Sequence, residues 1–270
     1  MSLIPVTCLK TKIIGLIGLL VLLGYPGLGA VAPGESFDPV VRKTIVNLGR
    51  SRYLMPNDTS RILLSCFYYP EFMVKELNDP GLKGIRWVTI LPIASQSAPA
   101  CRLAHSSKER FWAKTWWSFM GVKGPLIFLE AADGENGGMP FRILDIKTGK
   151  KIFQDSAWGT GGLAFAHSSD GGISAKYLRV VGESESCSIP KDGLNCWNKF
   201  RKHYGLMGAE VPKCSGYRNE GKKERAVGTY ELPPEEITTA SVIIYPVEVT
   251  LFPRPKIKPV NGSIACNPIE

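Results

Sequence analysis

Three carboxylates, Glu130, Asp133 and Asp145, fall in one short stretch of the chain. Two carboxyl groups about 5–10 Å apart with unequal pKa values are the equipment of glycoside hydrolysis, one acting as acid and the other as base or nucleophile. The same stretch contains Asp133, Glu135 and Asn136, whose side-chain oxygens suit calcium, a cation that prefers oxygen ligands. It holds too few carboxylates for an EF-hand loop, and a solvated hairpin loop accounts for it more simply. A third group is Phe111, Trp112, Trp116, Trp117, Phe119 and Met120. Each aromatic ring hides a large area when buried, so most of these residues are expected in the core. Trp112, Trp116 and Trp117 are also candidates for a flat platform against which a sugar ring or another partner stacks.

Other motifs lose their meaning in context. Gly159, Gly161 and Ala164 match a dinucleotide-binding glycine fingerprint, with Glu183 about 20 residues on. That fingerprint needs a following helix to hold the pyrophosphate, and the tract 167–172 breaks any helix there. Ser188 and Lys191 have the Ser-x-x-Lys spacing of an acyl-transfer serine, and residues 147–149 spell Lys-Thr-Gly. Their order is reversed, Pro190 interrupts the first element, and a Ser-x-Asn element is missing. No Gly-x-Ser-x-Gly elbow or His-Glu-x-x-His pair occurs, and His105, His167 and His203 stand far apart.

The elements that must position these side chains read mainly as strands. Ile62 to Tyr69, Phe72 to Leu77 and Ile85 to Leu91 are aliphatic and aromatic runs, and the turn residues Asn78 to Gly81 predict a hairpin. Leu126 to Ala132 reads as a buried strand beside Phe141 to Ile146, joined by the glycine-rich loop 133–138. Lys147, Thr148 and Gly149 predict a second tight turn into Lys151 to Gln154, with Gly149 left-handed. Tyr177 to Val181 and Val247 to Leu251 add two strands, Pro246 marking an edge or a bulge of the latter. The expected helix runs from Cys196 to Tyr204, capped by Asn195 and closed by Gly205. It carries Trp197, Phe200 and Tyr204 on one face and Lys199, Arg201 and Lys202 on the other. Its expected role is to cover an open part of the β-structure, tied down through Cys196.

Lys10 and Lys12 precede an apolar run from Ile13 to Leu23 and a small-residue exit at Ala30, the parts of a secretory signal peptide. The run is too short for a membrane span. Residues 1–30 are therefore expected to be removed, leaving 31–270 as a single disulfide-stabilised domain that is secreted or periplasmic. Six cysteines then remain: Cys66, Cys101, Cys187, Cys196, Cys214 and Cys266. An even number in an exported chain points to disulfides, with many pairings open; local spacing suggests Cys187 with Cys196. The 270 residues carry a net charge of +9, which favours anionic partners, although the basic residues are dispersed. Nucleic acid is not expected, because no binding module for it is present. Asn57 with Thr59 and Asn261 with Ser263 form glycosylation sequons, relevant in a eukaryotic source.

The tract from Asp145 to Lys150 resembles the Asp-x-x-Thr-Gly-Lys hairpin turn of quinoprotein-like β-propeller blades, with Phe153 on the outgoing strand. It occurs once, whereas a propeller repeats its blade. The tract from Tyr177 to Val181 with Cys187, Cys196 and Trp197 is similar to uncharacterised exported bacterial proteins, a resemblance that implies no activity. The fold expected is a small propeller-like or hairpin-repeat β-domain with one short helix, with a β-sandwich as the alternative. The function expected is noncatalytic binding of an anionic envelope polymer, a glycan or a protein. The alternative is a secreted hydrolase with a carboxylate pair. Calcium is the one cofactor for which the sequence offers ligands.

Overall fold

The computed structural model describes residues 36–82, 85–93, 98–134, 138–159, 162–167, 172–182, 189–214, 241–251 and 254–268. The strands form two antiparallel sheets. The first is a meander of β1 (Arg42–Arg50), β2 (Arg61–Tyr68), β3 (Phe72–Asn78), β4 (Ile85–Pro92) and β5 (Arg110–Lys114), in that spatial order. The second contains β6 (Trp117–Lys123), β7 (Leu126–Ala131), β8 (Gly138–Asp145), β9 (Lys151–Trp158), β10 (Ala164–His167), β11 (Ile173–Gly182), β12 (Ser241–Thr250), β13 (Lys256–Pro259) and β14 (Ala265–Pro268). Its path runs β13-β12-β11-β9-β8-β7-β6, with β10 on β11 and β14 on β12. Neighbours are mostly consecutive in sequence, which is the hairpin-repeat expectation. Neither sheet closes into a barrel, and the two share one apolar layer as in a sandwich.

Side-chain alternation decides what each strand buries. Val74, Val88, Ile90 and Ala113 of the first sheet meet Val122, Ile127, Leu129 and Leu144 of the second. On the outer side of the first sheet, Leu64, Cys66, Tyr68, Met73 and Leu77 form a separate cluster with Cys101. On the far side of the second sheet, Phe128, Phe141, Tyr177, Tyr245 and Val249 pack beneath the helix. β7 reads as an unbroken apolar run because it faces a core on both sides: Leu126 and Phe128 on one, Ile127 and Leu129 on the other.

The helix α1 (Ile189–Tyr204) begins earlier than expected and is interrupted at Gly193, whose backbone is non-helical (φ 55°, ψ −131°). Asn195 therefore lies inside the helical path and does not cap its start. The C-terminus follows expectation. Gly205 has φ +72°, and the Leu206 N–H donates back to the Arg201 carbonyl at 2.8 Å, the closing bond of a Schellman turn. Trp197 and Phe200 stack at 5.8 Å within the core, and the Trp197 indole N–H donates to the Ala209 carbonyl.

Pro246 is neither at a strand end nor in a bulge: it lies within β12, opposite Leu178. On its other side the pairing changes hands, β14 covering Ser241 to Ile244 and β13 covering Val247 to Thr250. A residue without an N–H costs little where the ladder is already interrupted.

Cys66 is joined to Cys101 and Cys214 to Cys266. Cys196 is disulfide-bonded too, and its expected partner Cys187 lies outside the described residues. These bonds indicate an oxidising, exported environment. No helix of the described residues is long and apolar enough to cross a membrane.

Candidate functional site

The chain passes from the first sheet to the second between β5 and β6, and the tryptophans sit at that crossing. The turn is made without glycine or proline. Thr115 has φ +47° and Trp116 φ +73°, two successive residues in the left-handed region where a side chain costs about 1–2 kcal/mol each. Three backbone hydrogen bonds hold the neighbourhood: Thr115 N–H to the Arg86 carbonyl at 3.0 Å, Ala132 N–H to the Trp116 carbonyl at 2.7 Å, and Gly149 N–H to the Asp145 carbonyl at 2.9 Å.

The three tryptophans divide by environment. Trp116 is 50% exposed. Trp117, half-buried, packs against the apolar layer between the sheets and carries the Arg142 guanidinium over its ring, 3.9 Å from the centroid. Arg142 stands diagonally across β7, since it pairs with Leu129 while Trp117 pairs with Ala131. Its Nε donates to Gln154 Oε1 at 2.9 Å, which fixes the plane of the guanidinium over the indole. Trp112 is half-buried and packs with the same layer, lying over Gly149, where an added Cβ would already touch its ring at 3.9 Å. Its buried Nε1–H has no partner among the described residues.

The hairpin turn below Trp112 is built as the sequence predicts. Asp145 Oδ1 accepts from the Thr148 N–H at 2.8 Å and from the Thr148 hydroxyl at 2.7 Å, and Gly149 has φ +73°. Burial pushes the Asp145 carboxyl up, but the hydrogen bonds from Thr148 outweigh it and hold the group below its ordinary value. Arg110 donates to the Lys147 carbonyl and ties the turn to β5.

The carboxylates are not gathered into a pair. Asp145 faces Leu126, four residues along β7 from Glu130, so their backbone positions are roughly 14 Å apart. Asp145 is also engaged by its own turn. Asp133 is exposed just beyond Ala132, next to the Trp116 corner. Glu135 and Asn136, the other two calcium candidates, lie outside the described residues. The glycine fingerprint leads into the strand β10, so no helix follows it to hold a pyrophosphate. Asn57 and Asn261 are both exposed.

Two polar clusters went unnoticed at the level of sequence. Lys75 is 1% exposed; its Nζ donates to Glu109 Oε1 at 2.6 Å and to the Ala104 carbonyl at 3.0 Å. Glu109 also receives His105 Nδ1 at 2.5 Å on Oε2. Burial raises the Glu109 carboxyl, and the bonds from Lys75 and His105 more than reverse this, leaving it below its ordinary value. Trp87 and Phe111 flank the His105 ring at 4.9 and 4.7 Å. The Cys66–Cys101 disulfide and this cluster together pin the segment before β5 onto the outer face of the first sheet. In the second cluster, beneath α1, the Tyr177 hydroxyl donates to Asp155 Oδ2 at 2.5 Å and Arg179 Nε lies 2.9 Å from the same oxygen. Arg179 also reaches the Tyr245 hydroxyl at 3.2 Å. Burial, then Asp155, pushes the Tyr177 hydroxyl far up; burial takes that of Tyr245 to about 12. These groups satisfy one another across three strands, which is an interior brace. The contacts of this second cluster join residues 22 to 66 positions apart and leave no local pattern to read.

Comparison of the chain with known protein families, with curated proteins and with solved structures finds no match.

Proposed function

We propose that this protein is an exported, noncatalytic binding domain for an anionic glycan of a cell envelope, and that Trp116, Trp117 and Arg142 carry the interaction. The supporting observation is the backbone at the corner. An indole held half-exposed on a left-handed residue, next to another such residue, is backbone strain of the kind that collects at functional sites.

The chemistry of the surroundings fits that ligand class. Trp116 offers an apolar face to the C–H side of a sugar ring. Arg142, fixed by Gln154 and Trp117, presents planar donors suited to a carboxylate or sulfate. Arg86, whose carbonyl accepts the Thr115 N–H, and Lys114, which precedes Thr115, are both exposed and add cationic field, while Asp133 next to the corner opposes it. Removal of residues 1–30 takes away Lys10 and Lys12 and no acidic residue, so the +9 of the full chain falls by two, and the positive charge that remains draws a polyanion in the same direction.

A thermal-shift comparison of the oxidised protein with polygalacturonate, neutral dextran and calcium tests the assignment, because a ligand that prefers the folded state raises the midpoint. Polygalacturonate is expected to raise it, and less so as salt is added; dextran is not. Equal shifts with both polymers, or with neither, would contradict the proposal.

A further inference from the structure

β1 is the outer strand of the first sheet, and the described residues pair it with β2 alone. The direction of its free groups follows from the hairpin beside it. Tyr69 donates its N–H to the Phe72 carbonyl, so odd-numbered residues of β2 bond toward β3 and even-numbered ones toward β1. Arg42, Thr44 and Val46 stand opposite Tyr68, Cys66 and Leu64 and use the inward bonds. The N–H and C=O groups of Lys43, Ile45 and Asn47 point away from the sheet.

Two other edges are blunted. Along β6, Glu76 accepts the Phe119 N–H at 2.6 Å, and Asp38 both donates to the Val122 carbonyl and accepts the Gly124 N–H. β13 is only four residues long and ends in proline. β1 runs for nine residues, with Val41 70% and Ile45 54% exposed beside it and on it. A long, partly apolar edge that the described residues leave uncovered is a template for strand addition. Charge at the start of the seam favours one occupant: Arg42 and Lys43 are both exposed and the seam holds no acidic residue, whereas Arg50 and Arg52 lie beyond the bulge with their guanidinium groups on the Met55 and Pro56 carbonyls and the Tyr53 hydroxyl. A second copy would bring like charge to the seam, whereas an acidic strand would neutralise it.

We infer that β1 takes up an extended acidic segment of a protein partner as an added antiparallel strand over Lys43 to Asn47, at the edge of the first sheet opposite the tryptophan corner. The bulge between Asn47 and Arg50 ends the seam.

The test uses the oxidised full chain and two peptides of about nine residues, one alternating valine with glutamate and one valine with lysine. The glutamate peptide is expected to bind saturably, to weaken at least about tenfold between about 0.05 and 0.3 M salt, and to slow amide exchange at Lys43, Ile45 and Asn47. Ile45→Pro removes an N–H that β2 does not use, so it leaves the β1–β2 ladder intact and should weaken binding at least about tenfold. The double variant Arg42→Glu with Lys43→Glu should switch preference to the lysine peptide, which keeps the inference testable if the proline variant fails to fold. Equal binding of both peptides, wild-type affinity in the proline variant that folds, or a β1-mediated dimer that excludes the glutamate peptide would each overturn it.

Discussion

Replacing Trp116 by alanine and by glycine separates what the indole contributes from what its backbone costs. A fully buried tryptophan hides up to about 250 Å². Trp116 is 50% exposed, so at roughly 25 cal/mol per Å² its removal should cost at most about 3 kcal/mol. Trp116→Ala bears this loss and keeps the strained backbone, since alanine at φ +73° still carries a Cβ in the left-handed region. Trp116→Gly bears the same loss but relieves the strain. Glycine usually destabilises relative to alanine by about 0.5–1 kcal/mol; here it should be more stable than alanine by about 1 kcal/mol. Urea unfolding with the disulfides intact measures both, and the slope of the transition must stay constant for the comparison to hold. Alanine equal to or more stable than glycine would refute the claim that the corner stores strain. With it would fall the main support for a functional Trp116.

The buried ion pair gives a second prediction: Glu109→Ala leaves the Lys75 ammonium enclosed and uncompensated and should cost about 3–5 kcal/mol, whereas Lys75→Met with Glu109→Gln should recover most of that in urea unfolding. Acidification tests the same pair, because a carboxyl held below its ordinary value contributes stability above about pH 4.5 and loses it as pH falls further; the Glu109→Gln single variant should lack that acid-side dependence. Glu76 has the opposite sign. Burial pushes its carboxyl up against the opposing hydrogen bond from Phe119, so the folded state favours the proton and stability declines as pH rises above about 4.5. Glu76→Gln keeps an acceptor for Phe119 and should melt higher at neutral pH with that decline removed; a lower midpoint would contradict the assignment.

Where sequence and structure agree, a local signal was sufficient. The continuous run of β7 announced a buried strand, Gly149 announced the turn whose φ is +73°, and the spacing of Trp197, Phe200 and Tyr204 announced the buried helix face. β1 escaped notice because an edge strand mixes exposed Ile45 with half-buried Val46 and Leu48 and shows no clean apolar face. The exposed turn at the β5–β6 crossing was legible in Lys114 and Thr115 between the aromatics, but its left-handed backbone was not, because threonine and tryptophan normally signal strand continuation. The stacking of Arg142 on Trp117 depends on the register of β6, β7 and β8 together. Likewise Lys75 meets Glu109 only once the sheet and its covering segment are in place.

The central claim is that the half-exposed indole and its arginine neighbour bind an anionic glycan. The most direct measurement is a tryptophan-fluorescence titration with polygalacturonate of the wild type, Trp116→Ala and Arg142→Gln, at a temperature where urea unfolding shows all three to be folded. Both variants should bind at least about tenfold more weakly than wild type, a loss of about 1.4 kcal/mol each. Affinity unchanged in both folded variants would remove the site from this corner.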